Sequence, residues 1–264
     1  IPVKVVASPQ AQLNRTADGC TPVTVTFSSS LVVADTSAIT WRWDFGNGNT
    51  STVTTPPAQV YTAGTYPVRV IATNSSGCAD TLTTSVQSFA LPNVNAGVDT
   101  LVCKGTGRTL NATGAVSYSW TPSTGLSCTN CASPVALPDS VITYTVTGTS
   151  AQGCVKSDDI IVRVQYPFTM RNSPRDTLCK GSSVPLYASG AYTYTWSPAT
   201  GLSSATSSTP TASPLVTTNY QVIGTDDKKC FSDTAIVPII IYDIPTVDAG
   251  PDQQINVGQT LDLI

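Results

Sequence analysis

Apolar and polar residues alternate along most of this chain, and the runs are interrupted by clusters of Gly, Pro, Ser and Asn. Residues 3–6 and 22–27 read as strands, and Trp41, Trp43 and Phe45 stand two apart on one face of another. That strand ends in Gly46-Asn47-Gly48-Asn49, a turn of residues that tolerate positive φ. After Thr55-Pro56-Pro57, a long alternating run from Gly64 to Asn74 closes on Gly77-Cys78. Further strands are predicted at 101–103, 108–112, 117–120, 143–149 and 160–165, with turn signals at intervals of about ten residues, as in small antiparallel sandwiches. The row Trp41, Trp43, Phe45 is expected to face a core between two sheets, and a sugar-stacking platform is the alternative reading.

The pattern repeats. Cys103, Trp120, Gly125-Leu126, Pro134, Pro138, Tyr144 and Cys154 return 76 positions later as Cys179, Trp196, Gly201-Leu202, Pro210, Pro214, Tyr220 and Cys230. A register kept through loops as well as strands marks tandem copies of one module. The same shift taken backwards leads from Cys154 to Cys78, so a more divergent copy precedes the two. The expected organisation is 1–91, 92–166 and 167–244, with 245–264 opening a further copy or serving as a donor strand. Leu91-Pro92, Tyr166-Pro167 and Ile244-Pro245 place Pro at each joint, where its fixed φ stiffens a short connection. The expectation is an all-β chain of sandwich modules arranged as an elongated string.

Composition supports strands over helices: Ser and Thr are abundant, every one of the 16 acidic residues is Asp, and Lys is scarce. The formal net charge of -3 offers no basic surface for phosphates, so nucleic acid and anionic membranes are poor partners. No run of 18 apolar residues is present, so a chain that does not span a membrane is expected. The chain starts at Ile1 with no charged-then-apolar leader, which is expected of a processed product or the ordered part of something longer.

Eight cysteines and no histidine argue against zinc, since Cys128 and Cys131 are the only close pair. The repeat suggests one long bridge per module, Cys20–Cys78, Cys103–Cys154 and Cys179–Cys230, with Cys128–Cys131 closing a local loop. On the chain-entropy model a bridge closing about 50 residues stabilises by about 4 kcal/mol. Small modules bury modest cores, so such bridges would be a large share of their stability, and they imply an oxidising compartment.

WRWDFGNGN followed by PPAQVYTAGTYPVRVIATNSSG resembles the PKD domain over about residues 1–90. The sequence departs from that pattern at Asn47, where Asp is usual, and at Gln59, where His is common. The Trp-(Thr/Ser)-Pro-x-Thr-Gly-Leu-Ser segment, and Cys128-Thr129-Asn130-Cys131 after it, are similar to Ig-like repeats of large type IX-secreted surface proteins of gliding bacteria, including gliding-motility adhesins, over about 92–244. Residues from Val247 to Leu263 resemble the opening strands of another copy. The resemblance implies an extracellular, cell-surface location.

Catalytic chemistry is nearly absent from the sequence, so no enzyme is expected: there is no His or Glu. Asp158-Asp159 and Asp226-Asp227 each lie near a cysteine and beside Lys in a predicted hairpin; neighbours in sequence on a strand point to opposite faces instead of facing each other across a cleft, so solvated turn charges are expected. No cofactor is expected; calcium is the weak candidate, with Asp44, Asn47 and Asn49 offering oxygens on one loop that lacks EF-hand spacing. Three functions follow: a stalk segment of a surface adhesin or extracellular filament, presenting or spacing binding domains; an accessory module of a secreted hydrolase; or a filament subunit polymerising by strand exchange through residues 247–264. Partners would be neighbouring modules of the same chain or filament, glycans, or other surface proteins, with Tyr192 the aromatic side chain expected to reach the surface.

Six Asp residues precede Ser or Thr, and five of those doublets continue with an aliphatic residue: Asp80-Thr81-Leu82, Asp99-Thr100-Leu101, Asp139-Ser140-Val141, Asp176-Thr177-Leu178 and Asp233-Thr234-Ala235. In the bacterial group this chain resembles, Asp-(Ser/Thr)-aliphatic is the O-glycosylation motif of exported proteins, which makes Thr81, Thr100, Ser140, Thr177 and Thr234 candidate acceptors. Turn and strand-start chemistry explains the doublets alternatively. The Asn-x-(Ser/Thr) sites at Asn14, Asn49, Asn74 and Asn111 compete only in a eukaryotic source. Intact-mass measurement of native protein is expected to exceed the disulfide-bonded polypeptide mass by whole glycans; a mass equal to the bare chain removes the modification.

Overall fold

The computed structural model describes residues 6–32, 38–250, 252, 254–258 and 260. Strands, turns and bends account for all of the regular structure among the described residues, with no helix. The chain divides into two units, 1–164 and 165–264.

The first unit holds two separate cores. In its first part, a five-stranded sheet has the spatial order Gly19–Cys20, Ala79–Phe89, Gly64–Asn74, Ile39–Asp44, Thr50–Ser51. Two-stranded pairs, Ala11–Arg15 with Phe27–Leu31 and Val23–Val25 with Gln59–Tyr61, supply the other layer. One core joins the layers: Val25, Phe27 and Tyr61 pack with Trp41, Trp43, Phe45, Val68 and Val70. The period-two row of aromatics therefore lies inside, with Trp43 and Phe45 fully buried and stacked at 5.6 Å and Phe27 tilted against both. Thr40, Arg42 and Asp44 alternate outward to solvent. The core reading of this row holds, and the sugar platform does not exist there.

The second part has a four-stranded sheet ordered Thr100–Cys103, Val155–Gln165, Ile142–Thr149, Ser117–Thr121, with Arg108–Thr109 pairing Val135–Ala136 in the opposing layer. In the second unit, Asp176–Cys179, Ser232–Tyr242, Thr218–Thr225 and Thr193–Ser197 form the corresponding sheet, and Val184–Pro185 pairs Thr211–Ala212. The sequence repeat is thus a repeat of bonds. The buried indole N–H of Trp120 donates to the Cys131 carbonyl at 2.9 Å, and that of Trp196 donates to Ser207 at 2.9 Å. Tyr144 and Tyr220, buried at the ring, donate their hydroxyls to the Thr124 and Thr200 carbonyls at 2.7 and 2.8 Å, and desolvation pushes both phenols above their ordinary value. Tyr61, pushed up to about 12 mainly by burial, donates likewise to the Phe45 carbonyl.

Among the described residues of 245–264 no strand forms. The expected opening strand lies partly on residues 251, 253, 259 and 261–264, outside the described residues.

The turn after the aromatic strand requires glycine for two different reasons. Gly46 has φ +70°, and a Cβ there would lie 2.3 Å from the Pro67 carbonyl oxygen, whereas Gly48 has φ +89° with open space around it. Gly48→Ala is expected to cost about 1 kcal/mol, the backbone penalty alone, and Gly46→Ala about 2–4 kcal/mol because backbone must also move. Urea unfolding of both variants measures the difference, and equal losses would show that the contact with Pro67 is without consequence.

Candidate functional sites at the module poles

A long strand closes each sheet and fixes where the cysteines lie. Gly19–Cys20 pairs in parallel with the end of Ala79–Phe89, placing Cys20 opposite Phe89, while Cys78 sits in the hairpin just before Ala79. Asp176–Cys179 pairs in parallel with the end of Ser232–Tyr242, placing Cys179 opposite Tyr242, while Cys230 precedes Ser232. An eleven-residue strand separates the two cysteines of such a module, a span on the order of 30 Å. A disulfide needs Cα atoms within about 7 Å. The bridges expected inside modules therefore do not form.

Cys20 is bonded to Cys154 with a Cα–Cα distance of 5.5 Å, so the expected Cys20–Cys78 and Cys103–Cys154 bridges are both replaced. Cys78 is a free thiol, half-buried, and Cys179 is a free, exposed thiol, which also rules out Cys179–Cys230. Cys103 and Cys230 are each disulfide-bonded. The Cys20–Cys154 bond joins the pole at which the first core's last strand ends to the hairpin at which the second core's last strand begins. The strand expected at 160–165 in fact begins at Val155, directly after Cys154, and this added length carries the hairpin cysteine away from its own module's other cysteine. Full strand length was the signal that would have excluded the intramodular pairs.

Each hairpin cysteine is held by a side chain four residues earlier. Asn74 Oδ1 accepts the Cys78 N–H at 3.0 Å, Ser150 Oγ accepts that of Cys154 at 3.1 Å, and Asp226 Oδ1 accepts that of Cys230 at 3.0 Å. Burial pushes the Asp226 carboxyl up, but backbone N–H groups of Cys230, Phe231, Lys228 and Lys229 outweigh it and hold the carboxyl below its ordinary value. Cys128 and Cys131 are bonded to each other in the loop whose carbonyl receives the Trp120 indole. At the repeat-equivalent positions Ser204 and Ser207, hydrogen bonds do the same work: Ser204 Oγ accepts the N–H groups of Thr206 and Ser207.

The calcium candidates are engaged in their own turn. Asp44 Oδ1 accepts the Gly46 N–H, Asn47 Oδ1 accepts the Asn49 N–H, and the Asn49 amide donates to Gln59 Oε1. Among the described residues no group of three or more His, Cys, Asp or Glu side chains converges as a metal site. Asp158 and Asp159 lie on a strand, and Asp158 bonds the Ala96 N–H at 2.8 Å; Asp227 pairs with Lys228 at 3.0 Å.

The acidic members of the Asp-(Ser/Thr) doublets have structural partners of their own. Asp80 bonds the Ala11 N–H, Asp233 bonds those of Met170 and Thr234, Asp176 bonds that of Thr177, and Asp99 bonds that of Ile161. Asp139 pairs with Lys104, which lowers its carboxyl. Thr81, Ser140, Thr177 and Thr234 are exposed and Thr100 is half-buried. Tyr192 stands 73% exposed between a hollow of about 470 Å³ shared with Thr193, Tyr194 and Thr206, and one of about 300 Å³ shared with Phe168 and Asp227.

Residues 6–88 match the family model of the PKD domain. Among solved structures, the chain is similar to the PKD1 domain of the Vibrio cholerae metalloprotease PrtV, at 28% identity over 31% of this chain and 99% of that one, TM-score 0.27. It is similar to the PKD1 domain of Vibrio anguillarum Epp, at 27% identity over 32% and 96%, TM-score 0.27. Mouse cadherin-23 EC22-24 matches at 14% identity over 90% and 100%, TM-score 0.35. No curated protein matches the chain.

Unreduced peptide mapping of the freshly purified chain is expected to recover Cys20 linked to Cys154 and Cys128 linked to Cys131, with Cys78 and Cys179 open to alkylation. Recovery of Cys20 linked to Cys78 would contradict the separation imposed by Ala79–Phe89.

Proposed function

We propose that this chain is a stalk segment of a secreted cell-surface adhesin or extracellular filament, spacing binding domains away from the cell. The observation that supports this most is the covalent bond between successive modules, Cys20 to Cys154. Modules joined only by a short peptide move relative to one another by default. A second covalent connection across the joint restricts bending and twisting, and stiffness is what a spacer requires. Pro92 at the first joint is buried and adds its fixed φ to the same end.

The polar chemistry agrees with this role. Buried hydroxyls, indoles and carboxyls hold turns and strand ends instead of converging on a reacting centre. No helix among the described residues is long and apolar enough to cross a membrane. The resemblance of the Trp-Pro-Gly-Leu segment to repeats of type IX-secreted proteins of gliding bacteria supports the reading of a stalk on such a cell surface. Thr81, Ser140, Thr177 and Thr234 are accessible as O-glycan acceptors, where sugars would shield strand edges from unwanted pairing. Glycans and neighbouring surface proteins are the proposed contacts, with Tyr192 the exposed aromatic for them.

Small-angle scattering of the isolated chain tests the proposal. The expected particle is rod-like, with a longest dimension of about 100 Å, and Cys154→Ser is expected to broaden its distance distribution. A compact particle with a radius of gyration of about 18 Å would overturn the stalk reading.

A further inference from the structure

The two free thiols occupy the same backbone settings as the two cysteines of the Cys20–Cys154 bond. Cys78 and Cys154 each follow a glycine of positive φ, Gly77 at +85° and Gly153 at +80°. Each closes a hairpin with the same pair of backbone bonds, Asn74 N–H to Cys78 O with Gly77 N–H to Asn74 O, and Ser150 N–H to Cys154 O with Gly153 N–H to Ser150 O. Cys20 and Cys179 each end a short strand laid in parallel on the last residues of the long one, opposite Phe89 and Tyr242. The next residue continues the same way: Thr21 N–H donates to the Phe89 carbonyl at 2.8 Å, and Lys180 N–H to the Tyr242 carbonyl at 2.9 Å.

Within each pair of counterparts the bonded cysteine is the more buried, with Cys20 half-buried where Cys179 is exposed. Cys154 is 0% exposed, whereas its counterpart Cys78 is half-buried. The pole bearing Cys179 also presents uncovered apolar surface. A hollow of about 410 Å³ is lined there by Pro198, Gly201, Pro214, Leu215 and Val216, and Leu215, Val216 and Tyr242 are each more than 60% exposed. Thr217, between the lining residues Val216 and Thr218, accepts the Ile241 N–H at 3.0 Å, one residue before Tyr242, so the hollow adjoins the strand end that faces Cys179.

We propose that Cys179 and Cys78 are complementary halves of one further intermodular disulfide, repeating Cys20–Cys154. The occupant of the Cys179 pole is a module of this same kind that offers its Gly-Cys hairpin, and the occupant at Cys78 is one that offers its strand-end cysteine. This rests on the stalk reading and deepens it, since each bond of this type extends a covalent ladder that runs beside the main chain. Bond formation oxidises two thiols: two protons and two electrons pass to a disulfide oxidant such as oxidised glutathione. One thiolate first displaces a glutathione thiol to give a mixed disulfide, and the second thiolate then displaces the other. One protein disulfide and two glutathione thiols result.

A second copy of the chain carries both halves and serves as the probe. The full chain, Cys78→Ser and Cys179→Ser are oxidised with glutathione disulfide and resolved without reductant, with circular dichroism and the Cys20–Cys154 peptide confirming that each variant is folded. The wild type is expected to form a ladder of head-to-tail oligomers, and an equal mixture of the two variants to stop at dimers. Peptide mapping is expected to show Cys78–Cys179 over the symmetric pairs by about tenfold or more, equivalent to about 1.4 kcal/mol of docking preference. Monomers alone, or mixed and symmetric bonds in statistical proportion, would overturn the proposal. An elongated monomer that fails to ladder removes this inference alone, whereas a compact monomer removes the stalk reading.

Discussion

In the first module and the last, one eleven-residue strand, Ala79–Phe89 or Ser232–Tyr242, runs the length of the sheet, and a cysteine marks each of its ends. Val155–Gln165 has the same length and begins directly after Cys154. Because an extended strand advances about 3.3 Å per residue, the two thiols of a module cannot meet. Bonds between modules are what remains to them, and Cys20–Cys154 is such a bond. Strand length thus converts cysteines that would otherwise staple small cores into connectors of consecutive modules.

Each core then has to stand without a long internal bridge. The buried tryptophan at its centre fulfils part of that need. Trp43, Trp120 and Trp196 each donate the indole N–H to a loop carbonyl, that of Val53, Cys131 or Ser207, so the loop is fixed by the same side chain that fills the core. A buried indole without that acceptor would cost about 1–3 kcal/mol. The loop is in turn rigidified locally, by Cys128–Cys131 in one copy and by the Ser204 hydroxyl in the next. Two different chemistries satisfy one geometric demand.

Carboxylates provide a second recurring fastening. Asp80, Asp158 and Asp233 each accept the backbone N–H of a residue near the start of their own module, Ala11, Ala96 or Met170. Asp80 and Asp233 sit at equivalent register, two residues before the partners of Val70 and Val222, while Asp158 is itself the partner of Val146. The doublets Asp80-Thr81 and Asp233-Thr234 therefore have a structural explanation for the acid, with the hydroxyl left exposed. A scaffold role for Asp and an acceptor role for Thr are compatible at one site.

The all-β class, the repeat and the core tryptophans were legible in the sequence, because alternation and a constant 76-residue shift are local properties that side chains display whatever the partners. Trp120 and Trp196 at equivalent positions announced equivalent environments, and burial of Trp41, Trp43 and Phe45 followed from their spacing. Cysteine pairing was not legible. A repeat says which thiols correspond, and Cys78, Cys154 and Cys230 do correspond, but it does not say which lie within bonding distance. That depended on where Val155–Gln165 begins and on the parallel register that sets Cys20 opposite Phe89. Both are products of strand pairing between residues far apart in the chain, so composition and spacing determined the modules while tertiary structure alone decided how they are joined.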